Sequence, residues 1–122
     1  MYSIDDINQL LDEIAAGFPD EVFNGLNGGV SLLTETKRSN ADPDGGLYTL
    51  GEYHRDQMGR YIVLYYGSIL IVHGNEPRKM MRESLRRILA HELTHHLESQ
   101  AGDRDLEIED ELFMDEYLGM RN

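Results

Sequence analysis

Apolar and polar positions recur with two different periods along this chain of 122 residues, and the changes of period predict its elements. Ile4, Ile7, Leu10, Leu11 and Ile14 recur at helical spacing up to Gly17. Ser3-Ile4-Asp5-Asp6 ahead of them resembles a capping box, with Asp in place of the usual Glu or Gln. Pro19 opens a short turn over 20–24 that Gly25 closes, and Leu26-Asn27-Gly28-Gly29 has turn chemistry leading into a strand over Val30–Thr34. Residues 35–46 are polar and rich in Asn, Pro, Asp and Gly, which predicts an exposed loop. Leu47–His54 and Arg60–Tyr66 are strands rich in aromatic and β-branched residues, and the short link over 55–59 makes them an antiparallel hairpin. Over Ser68–His73 periodicity cannot separate a strand from a short helix.

Gly74 and Asn75 punctuate the chain, and Pro77 suits the first position of a helix that no Pro or Gly interrupts before Gly102. Met81, Leu85, Ile88, Leu89 and Leu93 form its apolar stripe. Leu106, Ile108, Leu112, Phe113, Tyr117 and Leu118 predict a last helix, acidic on its other side. The fold class is therefore α+β: a small mixed or antiparallel sheet with an N-terminal, a long central and a C-terminal helix, in a single domain over residues 1–122.

Composition narrows the setting. A hydrophobic content of 40% supports one modest core, and no apolar run approaches a membrane span. The absence of cysteine excludes a disulfide framework and a thiolate metal site. Met1 leads straight into the capped helix, without a basic and apolar leader, so a cytoplasmic protein is expected. The net charge of −12, crowded between Glu98 and Glu116, repels nucleic acid and anionic membranes. Such a face is ordinarily just solvated, though it would favour a cationic substrate.

The chemistry concentrates in Ala90-His91-Glu92-Leu93-Thr94-His95-His96-Leu97-Glu98. Residues four apart lie on one face of a helix, so His91 and His95 can offer their imidazoles to one metal ion. Zinc accepts neutral imidazole, and a catalytic zinc keeps a position open for water. Glu92, about 100° round the helix from His91, is placed as a general base for that water. His96 is turned away from His95 and is read as a core-side residue. Tyr53, Tyr65, Tyr66 and Tyr117 are candidate donors to an oxyanion, although core or rim positions are the commoner fate of tyrosine. His54 reads as a half-exposed histidine, and His73 has no partner at metal spacing. Arg78, Lys79, Arg82, Arg86 and Arg87 read as the solvated face of the helix, paired with nearby acids.

H-E-L-T-H-H followed by a glycine resembles the small zinc-dependent peptidases of the zincin superfamily, which have a compact matrix-metalloprotease-like domain and the pattern H-E-x-x-H-H-x-G-x-x-D. Here Glu98 to Ala101 lengthen the interval before Gly102 by about one helical turn. Aligned on that glycine, the resemblance implies Asp105 as the third ligand of one Zn2+ ion, beside His91 and His95. Asp103, Glu107, Glu109 and Asp110 compete for the role, and Glu98 lies two turns from His91 with poor reach. The implied activity is hydrolysis of peptide bonds in a peptide or protein substrate, with Glu92 activating the zinc-bound water. An extended substrate would pair with the Arg60–Tyr66 or the Val30–Thr34 strand. The alternative is a zinc-binding module without proteolysis, in which the metal stabilises the fold or a partner surface.

Overall fold

The structure, a computed structural model, describes residues 1–39 and 47–104, the last two as helical backbone only. Helix α1 (Ile4–Ala16) starts as its sequence dictates. The Ser3 hydroxyl accepts from the Asp6 amide at 3.1 Å, and the Asp6 carboxylate accepts from the Ser3 amide at 2.8 Å. Ile7, Leu10, Leu11 and Ile14 form its buried stripe. A single 3-10 turn over Asp20–Phe23 follows Pro19.

Strand β1 (Val30–Leu33) leads to two short strands, β2 (Lys37–Arg38) and β3 (Tyr48–Thr49), which pair antiparallel in a sheet of their own. The expected loop thus contains a strand, and residues 40–46 lie outside the described part. The predicted hairpin forms as β4 (Gly51–Asp56) and β5 (Gly59–Tyr65), with Asp56 opposite Gly59. Gly59 has φ +111°, a conformation that glycine adopts without strain, and the Met58 amide donates to the Asp56 carboxylate at 2.8 Å. Strand β1 runs parallel to β5, Val30 opposite Ile62, so the sheet order is β1-β5-β4.

This order overturns the expectation that Arg60–Tyr66 could align a substrate. That strand is the middle of the sheet, and its apolar run reflects burial between two neighbours. The other candidate strand, Val30–Leu33, lies at the far edge of the sheet.

Tyr66–His73 resolves as helix α2. It is apolar all round, with Ile69 buried and Ile71 and Val72 exposed, so it carries no periodic stripe. Its buried Ser68 accepts from the Lys37 amide at 2.8 Å and donates to the Lys37 carbonyl at 3.2 Å, tying β2 to α2.

Helix α3 (Arg78–Arg104) runs 27 residues, about 40 Å. It does not stop at Gly102. Met81, Leu85, Leu89 and Leu93 are fully buried against α1, Ile62, Leu64 and Ile69, while Ile88 is only partly buried. Tyrosine hydroxyls join the start of α1 to α2 and to the approach to α3. Tyr2 donates to the Glu76 carbonyl and Tyr66 to the Tyr2 carbonyl, each at 2.6 Å.

The result is a mixed α+β fold with three helices and two small sheets among the described residues. No helix among them is long and apolar enough to cross a membrane. The predicted last helix over 106–118 lies outside them.

Candidate functional site

Alternate residues of β4 meet successive turns of α3. Gly51 lies against Glu92, the Tyr53 hydroxyl against His96 and the Arg55 guanidinium against Ser99. A strand advances about 6.6 Å in two residues and a helix about 6 Å in four, so the two elements stay in step. The face of β4 bearing Gly51, Tyr53 and Arg55 therefore carries the helix. Glu52 and His54 alternate onto the other face.

The motif side chains sort as the helical wheel requires. His91 and His95 are exposed, while Glu92 and His96 are buried. The two Nε2 atoms of His91 and His95 stand 3.2 Å apart, with their rings edge to face at 87°. Two nitrogens on a tetrahedral zinc are separated by about 3.3 Å, given Zn–N bonds of about 2.05 Å. The pair therefore has the bite that such an ion requires. Glu98 lies 3.4 Å from Nδ1 of His95, which leaves Nε2 turned toward His91.

Glu92 is 6% exposed. Burial pushes its carboxyl above the usual range and Glu52 adds to the rise, against the opposing pull of His95 and His54. Such a carboxyl holds a proton more readily than a solvated one.

His96 has both ring nitrogens engaged. Nε2 lies 2.7 Å from the Asn24 carbonyl, which can only accept, so Nε2 carries the proton. Nδ1 is then an acceptor and takes the Tyr53 O–H at 2.9 Å. Burial holds the imidazole below its usual pKa, and the neutral ring is satisfied at both ends.

The tyrosines expected as oxyanion donors are committed elsewhere. Tyr53 donates to His96, Tyr65 to Glu52 at 2.6 Å and Tyr66 to the Tyr2 carbonyl. Tyr117 lies outside the described residues.

Two clefts flank Glu92. One, of about 720 Å³, runs along β4 and is lined by Glu52, His54, Arg55, His95 and Glu98, among others. In it His54 is hydrogen-bonded to Glu52 at 3.1 Å and stacked on Tyr61 at 5.0 Å. Glu52 also takes Lys37 and Tyr65. Burial opposes its charge, but these three donors outweigh it and lower its carboxyl to about 2.

The second cleft, of about 430 Å³, lies on the other flank, between β3 and β4, α3 and the end of α2. Arg87 lines it, one helical turn before His91. Arg87 is exposed there, and so are Arg78, Lys79 and Arg82, as the solvated-face reading expects, while Arg86 is half-buried. Arg78 and Arg82 do pair with Glu13, at 3.5 and 3.7 Å, and Arg86 stands over the Phe18 ring. His73 bonds Glu76 at 2.8 Å. Sequence reasoning misses Arg87 and His54 as cleft residues. The signal available is the four-residue step from Arg87 to His91 and the run of polar residues on β4.

Asp105, Glu107, Glu109 and Asp110 lie outside the described residues, as does the side chain of Asp103. Among the described residues no three His, Cys, Asp or Glu side chains stand together as a metal-binding group.

No model of a known protein family matches the chain. No curated protein matches it. Among solved structures, a conserved hypothetical protein from T. thermophilus is similar, at 31% identity and a TM-score of 0.69 over 83% of this chain and 99% of that one. The resemblance to zincin-superfamily peptidases drawn from H-E-L-T-H-H is corrected by these findings. The similar structure is a conserved hypothetical protein, and the described residues hold no metal-binding group of three. H-E-x-x-H on a helix is short enough to recur without common descent, and Asp105 as third ligand rests on that resemblance.

Proposed function

The chain belongs to the family of the T. thermophilus conserved hypothetical protein, and within that family we propose that it is a metal-dependent hydrolase acting on peptide bonds. The observation that carries the reading is the 3.2 Å approach of the His91 and His95 Nε2 atoms, beside the buried carboxyl of Glu92 and at an open cleft. It rests on this geometry, since the relative's designation carries no activity.

His91 and His95 would hold one Zn2+ ion, with the remaining positions left to solvent or to side chains outside the described residues, Asp105 among them. The metal would act as a Lewis acid, polarising the scissile carbonyl and acidifying a water. Glu92 would accept a proton from the attacking water as the water oxygen adds to the carbonyl carbon. It would then deliver the proton to the departing amine nitrogen as the C–N bond breaks. Its raised affinity for a proton suits both steps. Glu98, 3.4 Å from Nδ1 of His95, would favour that ring orientation. An extended peptide suits the outer edge of β4, which pairs with no strand among the described residues and runs beside the histidines.

The test measures bound metal and peptide cleavage in the same preparations. Wild type is expected to hold one zinc per chain and to cleave. Glu92→Gln should keep the zinc and lose cleavage by about 100-fold or more, and His91→Ala should lose both. Asp105→Ala, beside Asp103→Ala, asks which carboxylate completes the ligand set. A wild type that holds no metal, or a Glu92→Gln protein that cleaves like wild type, refutes the reading.

A further inference from the structure

We propose that Arg87 is a specificity-determining residue that receives a substrate carboxylate, so that the site acts on peptides carrying a free carboxylate within about two residues of the scissile bond. The inference rests on the hydrolytic reading above and names its substrate class.

Arg87, an exposed side chain, is the one lysine or arginine lining the 430 Å³ cleft among the described residues. It lies one turn before His91, which places its Cα about 6 Å along the helix axis from that of His91. An extended chain covers that distance in about two residues.

The surroundings hold the guanidinium without consuming it. Glu76 is the nearby acid, and its oxygens accept from His73 at 2.8 Å and from the Ser84 hydroxyl at 2.7 Å. The Ser84 oxygen in turn takes Arg87 Nη2 at a long 3.4 Å. Glu76 feels the charge of Arg87 through space. The fork of five N–H donors matches a carboxylate in shape and charge. Leu50 and Ile88, half-buried in the same lining, add an apolar wall beside it.

The opposite flank has a different balance. Glu52 and Glu98 line the cleft along β4, where the Arg55 guanidinium is bonded to Ser99, and the chain as a whole carries −12. Glu92 lines both flanks; beside it the β4 side has Glu52, paired with Lys37, and Glu98, against His95, whereas the Arg87 side adds a cation and no further acid among the described residues. The two flanks therefore orient a peptide as well as select it.

The test uses the full chain with Glu92→Gln, which prevents turnover, and follows binding by chemical-shift titration. Two probe pairs separate the sources of the carboxylate. Acetyl-Ala-Ala-Ala as free acid and as amide reports a C-terminus; acetyl-Ala-Glu-Ala-amide and its Gln counterpart report a side chain. In at least one pair the acid should bind about tenfold more tightly, and Arg87→Gln should bring that ratio close to one. Equal binding in both pairs, a preference that survives Arg87→Gln, or no saturable binding by any probe overturns the proposal. Cleavage of the same peptides by the protein with Glu92 intact separates the two readings. A binding preference without cleavage supports Arg87 and refutes hydrolysis; cleavage indifferent to the carboxylate overturns the Arg87 proposal alone.

Discussion

Replacing Tyr53 with phenylalanine removes one oxygen and tests how α3 is held on β4. The Tyr53 hydroxyl donates to Nδ1 of His96 at 2.9 Å, and His96 is fully buried. Its other nitrogen is tied to the Asn24 carbonyl at 2.7 Å, so the ring cannot offer Nδ1 elsewhere without breaking that bond. Tyr53→Phe therefore strands an acceptor on a buried ring. The cost of such an acceptor is about 1–3 kcal/mol, against which the smaller apolar side chain returns little. At an m value of about 2 kcal/mol/M, a loss of about 2 kcal/mol lowers the urea midpoint by about 1 M with unchanged slope. A cycle with His96→Leu isolates the pair. In that background the phenol has lost its acceptor, and Tyr53→Phe should be neutral or stabilising. A single mutant within about 0.5 kcal/mol of wild type, or equal effects in both backgrounds, refutes the assigned hydrogen bond.

Glu52 gives a pH signature. Its carboxyl is held at about 2 in the fold against an ordinary 4.5, so its stabilisation is complete above pH 4.5 and fades as pH falls toward 2. The full shift is worth about 3 kcal/mol, reduced to about 1–2 because its partner Lys37 is 40% exposed. Urea titrations should show Glu52→Gln less stable by that amount at about pH 6 and converging on wild type in acid; a difference that stays constant with pH contradicts the network. Gly51→Ala should cost about 1–3 kcal/mol, because the added methyl would lie 2.7 Å from Leu64 Cδ2 in the core. An unchanged melting temperature would show that Leu64 yields freely.

The legible part of the site is what a single helix encodes. The stripe from Met81 to Leu93, the step from His91 to His95 and the inward turn of His96 follow from 3.6 residues per turn, and the structure keeps all three. Positions that depend on pairing between segments are harder to read. Arg60–Tyr66 announces itself as a strand by its apolar run, yet that run is what makes it central and unavailable to a substrate. The polar residues of β4, Glu52, His54, Arg55 and Asp56, are the mark of an edge. Helix α2 escapes periodicity because its apolar residues face both core and solvent. Tyr65 illustrates a further limit: its hydroxyl serves Glu52, thirteen residues away, a partnership that exists only once β4 and β5 are in register.

The outer edge of β4, which pairs with no strand among the described residues, also bears on how copies of the chain tolerate one another. An edge strand can accept an extended backbone, including the same strand of another molecule. Glu52, Arg55 and Asp56 set like charges against each other when two such strands align side by side in parallel register. Charge that opposes such parallel pairing thus sits in the same six residues that border the histidines. Exchanging those charges for apolar residues to widen substrate choice would bring self-association with it.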